Sequence, residues 1–62
     1  MKRSDGYIIE YYAIGKQVKV TAIDPETGRE ASIIGAPAAG KDKLAALAIR
    51  KLTYVQQKDK GE

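Results

Sequence analysis

Seven residues, Gly35-Ala36-Pro37-Ala38-Ala39-Gly40-Lys41, satisfy the spacing GxxxxGK. In that motif backbone amides and a lysine cradle the phosphates of a nucleotide between a strand and a helix. The match fails one residue later. A hydroxyl is needed there for magnesium, and Asp42 sets a carboxylate beside the phosphates instead. A connection of small residues that opens a helix accounts for the same letters. We therefore expect no nucleotide and no cofactor at this loop.

Acid–base and metal chemistry have little to work with. The chain contains no cysteine and no histidine, which removes thiolate ligands, the commonest metal ligand and the usual general base near neutral pH. Ser32 has no imidazole to activate it. Glu10 and Glu30 are expected near each other, but on a mixed, open surface that offers no cleft for acid–base work. The expectation is a protein without catalytic residues and without a metal.

A third pattern is basic and aromatic. Lys43, Leu47, Arg50 and Tyr54 recur at i, i+4, i+7 and i+11, with Lys51 at the border. Cations beside an aromatic ring can contact phosphate and stack on a base. The more common reading is a solvated helix face whose lysine stems lie along the surface. Eleven basic residues are offset by eight acidic ones, for a net charge of +3. That balance tolerates nucleic acid without demanding it.

These side chains need a frame, and two turns supply it. Gly15-Lys16 is a two-residue connection, and Asp24-Pro25-Glu26-Thr27-Gly28 is a longer turn closed by a glycine. The segment Tyr7–Ile14 is rich in aromatic and β-branched residues, as strands are. The first turn pairs Ala13 with Val18, Tyr11 with Val20 and Ile9 with Ala22, all apolar. The second pairs Ala22 with Ala31 and Val20 with Ile33, on the same face. A slip of one residue would mix the two faces, so the register is well specified. The second turn also sets Asp24 beside Arg29, opposite charges at the loop's base.

A helix is expected from about Lys41 to Gln57, with Leu44, Ala48, Leu52 and Val55 on one side, flanked by Ala45 and Leu47. Gly40 serves as N-cap, and Asp42 suits the first-turn dipole. The predicted fold is α+β of order β-β-β-α, a three-stranded antiparallel meander with a C-terminal helix packed on one face. The predicted core is Ile9, Tyr11, Val18, Val20, Ala22, Ala31, Ile33, Leu44, Leu47, Ala48, Leu52 and Val55.

One helix covers one face. The other carries the rows Ile8-Ile23-Glu30, Glu10-Thr21-Ser32 and Tyr12-Lys19-Ile34, with Ile14 at one end. Its formal charge is negative, which disfavours phosphate, while its isoleucines and tyrosine favour an apolar partner. We take Ile8, Glu10, Tyr12, Lys19, Ile23 and Ile34 as candidate protein-binding residues, for a protein partner or a second copy. Lys43, Arg50, Lys51 and Tyr54 are the candidates for nucleic acid, as the alternative.

Sixty-two residues make a single domain that buries only about 60% of its unfolded surface, so its stability is marginal. We expect the domain over 6–57, between mobile polar tails at 1–5 and 58–62. The longest apolar run in the helix, Leu44–Ile49, is too short to cross a bilayer. The charged opening has no apolar leader behind it. Together with the lack of cysteine, this leads us to expect a soluble cytoplasmic protein.

Several groups of residues carry a likeness: Glu10-Tyr11 with Ile14-Gly15, Val18-Lys19-Val20, Ala22-Ile23-Asp24, Thr27-Gly28 with Glu30, Ser32-Ile33 with Gly35, and Arg50-Lys51-Leu52 with Tyr54-Val55. In these the chain resembles a family of small uncharacterised bacterial proteins. The resemblance spans nearly everything outside the tails. Its positions are turn and core residues, so it implies the fold and carries over no catalytic or binding residue.

Overall fold

The computed structural model describes residues 2–4 and 6–61, with side chains over 6–58. The sheet runs β1 (Lys2–Ser4), β2 (Tyr7–Ile14), β3 (Gln17–Ile23) and β4 (Glu30–Gly35), each antiparallel to its chain neighbour. A 3-10 turn at Pro37–Ala39 leads into α1 (Lys41–Gly61). The three long strands and the C-terminal helix form the expected β-β-β-α unit.

The register follows from the two turns. Ile9 pairs with Ala22, Tyr11 with Val20 and Ala13 with Val18. Across the second turn, Ala22 pairs with Ala31 and Val20 with Ile33. The turn itself is held by Asp24 N–H donating to the Arg29 carbonyl and Gly28 N–H donating to the Asp24 carbonyl, both at 2.8 Å. Gly28 has φ 78°, a backbone region that a side chain disfavours.

The segments 1–5 and 58–62, expected as tails, carry regular backbone where they are described. Reversal at Gly6 lays Lys2–Ser4 along β2, pairing Lys2 with Ile9 and Ser4 with Tyr7. Nothing between Gln57 and Gly61 breaks a helix, and α1 runs on to Gly61. Met1, Asp5 and Glu62 lie outside the described residues.

The core is one layer between sheet and helix. Ile9, Val20, Ala22, Ala31, Leu44, Ala45, Ala48 and Leu52 are buried, with Tyr7, Tyr11, Val18, Ile33 and Ile49 packed against them. Val55 is half-buried. Leu47 corrects the sequence reading, for it is 42% exposed while Ala45 is buried. At about 100° per residue, Leu47 sits about 120° from the midpoint between Ala48 and Leu52. The helix is rolled toward Ala45 and Ile49, whose side abuts the sheet. It packs chiefly on β4 and β3.

Gly35 permits this approach. A Cβ at Gly35 would fall 2.6 Å from Leu44 Cδ2, inside van der Waals contact.

Candidate functional site

Strand parity divides the sheet into an inner face under α1 and an outer face that no described element covers. On the outer face Tyr12 is 66% exposed and Ile34 is 59% exposed, at the two ends of the row that runs through Lys19. Glu10 and Lys19 are also exposed, while Ile8 and Ile23 face each other half-buried. All six expected protein-binding residues therefore share one face. In the middle row, Thr21 and Ser32 join their hydroxyls at 2.7 Å, which satisfies a buried threonine between the two edges. Glu10 and Glu30 do not form a pair. Glu10 lies opposite Thr21 on β2 and Glu30 opposite Ile23 on β4, with β3 between them.

A shallow open depression of ≈ 400 Å³, lined by Glu10, Tyr11, Tyr12, Lys19 and Thr21, marks the β2 side of this surface.

The basic stripe is a second surface. Lys43, Leu47, Arg50 and Tyr54 are all exposed, on the side of α1 turned from the sheet. Lys58, which the sequence reading left in a tail, extends the stripe, with its ammonium 5.9 Å from the Tyr54 ring centroid. Lys51 is drawn away from it. Its Nζ donates to the Ser32 carbonyl of β4 at 2.8 Å.

The GxxxxGK loop has a geometry of its own. The amides of Ala39 and Gly40 donate to the carbonyls of Ala36 and Pro37, closing the 3-10 turn. Lys41 Nζ lies 5.3 Å from the centroid of the Tyr11 ring, and the Tyr11 hydroxyl donates to the Lys41 carbonyl at 3.3 Å. Gly40 has φ 95°, which favours glycine before the helix, and its carbonyl accepts the first helical bond from Leu44. The two glycines of the motif thus answer to packing at Gly35 and to backbone conformation at Gly40.

At the far end of the helix, Gln56 Nε2 donates to Asp24 Oδ2 at 2.9 Å and to Thr27 Oγ1 at 3.1 Å. Glu26 N–H donates to Asp24 Oδ1 at 2.9 Å. The Gln56 amide, then the Glu26 amide, hold the Asp24 carboxyl below its ordinary value.

Among the described residues no group of three or more carboxylates, histidines or cysteines could hold a metal ion, and no helix is long and apolar enough to cross a membrane. A family model described as a domain of unknown function (DUF6898) matches residues 4–59. No curated protein and no solved structure matches the chain.

Proposed function

This chain belongs to the DUF6898 family of unknown function, and from its surfaces we propose that it is a non-catalytic module for protein interaction or self-association, acting through the uncovered sheet face. The observation that carries the reading is the exposure of Tyr12 and Ile34 at opposite ends of one outer-face row. Large apolar side chains on an open face favour a partner over water. Ile8 and Ile23 add apolar area to the adjoining row. Glu10 and Lys19, of opposite charge, orient whatever docks. The lack of histidine and cysteine supports a non-catalytic role, and a cysteine-free composition suits the reducing cytoplasm.

The alternative is nucleic-acid binding through the exposed stripe of Lys43, Arg50 and Tyr54. It is the weaker reading, because Lys51 is held against the sheet edge.

One set of measurements separates them. Sedimentation over a concentration series tests self-association. Tagged protein recovered from its native cell, with and without nuclease, tests partners. We expect either self-association or a nuclease-resistant partner, and its loss in a Tyr12→Ser/Ile34→Glu variant that keeps the wild-type melting profile. A strict monomer whose bound proteins are the same for both chains defeats the proposal. Retention that vanishes with nuclease and weakens steeply with salt favours the basic stripe.

A further inference from the structure

We propose that the outer sheet face joins two copies of this chain, stacked face to face about a two-fold axis that crosses the strands between Thr21 and Lys19. This rests on the interaction reading above and names the partner as a second copy.

The strand register makes the face a grid. Its rows are Ile8-Ile23-Glu30, Glu10-Thr21-Ser32, Tyr12-Lys19-Ile34 and Ile14-Gln17. Successive rows lie about 7 Å apart and neighbouring strands about 4.8 Å apart. A two-fold axis across the strands reverses the order of the rows. Passing through the middle of the grid, it lays the first row on the partner's fourth and the second on the partner's third. Ile8 then covers the partner's Ile14. Tyr12 and Ile34, both exposed in the single chain, leave water over the partner's second row. That row can be covered, because Thr21 and Ser32 already join their hydroxyls to each other.

Charge selects this axis. Glu10 and Lys19 stand on neighbouring strands one row apart, and within the chain no ion pair joins them. Reversing the rows sets Lys19 over the partner's Thr21, one strand away from the partner's Glu10. The symmetry repeats the contact, so Lys19 of each copy meets Glu10 of the other and the face is complementary to itself. Glu30 falls opposite no residue of the shorter fourth row and keeps its water at the rim. The other way of stacking the face on itself, about an axis parallel to the strands, keeps the rows in order and sets Lys19 directly over Lys19. Like charges brought together in a contact oppose that arrangement. The depression lined by Glu10, Tyr11, Tyr12, Lys19 and Thr21 lies where the favoured axis passes, and gives the partner's Tyr12 ring a recess to enter.

The patch is three strands, or about 14 Å, across. That is the scale of small, weakly held complexes, so sedimentation equilibrium on the full chain is carried to millimolar concentration. We expect a monomer–dimer equilibrium. Glu10→Lys and Lys19→Glu should each weaken it about tenfold or more, and an equimolar mixture of the two should form a heterodimer near wild-type affinity, because every lysine again meets a glutamate across the axis. A mixture of isotope-labelled and unlabelled wild-type chain needs no variant. Filtered nuclear Overhauser spectra of it should join the methyls of Ile8 and Ile14, which lie about 20 Å apart within one strand. A monomer at every concentration, a dimer without the Ile8–Ile14 contact, or a mixture no stronger than its components overturns the proposal. A monomer that still loses a nuclease-resistant partner on Tyr12→Ser/Ile34→Glu overturns it while the face reading stands. A dimer that persists in that double variant overturns both.

Discussion

Lys51 reaches past the side of β4 to place its ammonium 2.8 Å from the Ser32 carbonyl oxygen, nineteen residues back in the chain. The contact joins the helix to the one edge strand it overlies. It also occupies an acceptor at the middle of that edge.

Replacing Lys51 by Met keeps most of the stem and removes the ammonium. We expect a stability loss of no more than about 1 kcal/mol, the scale of a single hydrogen bond. The larger effect should be concentration-dependent association through the exposed β4 edge, visible in sedimentation velocity, with Lys51→Arg close to wild type. Unchanged association in Lys51→Met would show that the ammonium does not protect the edge.

Leu52 and Leu47 lie five positions apart on one helix and should respond very differently. Leu52 is fully buried, and Leu52→Ala should cost about 2–5 kcal/mol, enough to unfold much of a marginal domain. Leu47→Ala should stay within about 0.5 kcal/mol. Urea titration followed by circular dichroism reads both.

Gly35→Ala tests the close approach to Leu44. The added methyl meets Leu44 Cδ2, and the overpacking should cost about 1–3 kcal/mol. In the double variant Gly35→Ala/Leu44→Ala the two losses should be less than additive, because the second change vacates the space that the first invades. Additivity in the thermal melts would place the strain elsewhere.

Asp24 links stability to pH. Its carboxyl is held below its ordinary value by the Gln56 amide and then by the Glu26 amide. A depressed folded-state pKa stabilises the fold above the unfolded value near 3.8, and the effect fades as pH falls through the lower folded value. Asp24→Asn should therefore be less stable than wild type at pH 7, and the gap should close as pH falls through the lowered folded-state value. Gln56→Ala should show the same trend. A gap that persists undiminished in acid would assign the loss to packing.

The register was legible because two turns declared themselves independently. Gly15-Lys16 and the Pro25–Gly28 loop each fixed a pairing, and both put Ile9, Val20, Ala22 and Ala31 on one side. The roll of the helix was not legible. Leu44-Ala45-Ala46-Leu47-Ala48-Ile49 is apolar all round, so periodicity alone does not choose between Ala45 and Leu47 for the inward side. β1 escaped notice because Lys2-Arg3-Ser4 shows no apolar alternation, and its place comes from main-chain pairing with β2. The outer face followed directly from strand parity.

The order β1-β2-β3-β4, with the helix following last, makes every strand a neighbour of the one before it. Pairings of this kind join stretches of chain already close together, and so the conformational search is brief.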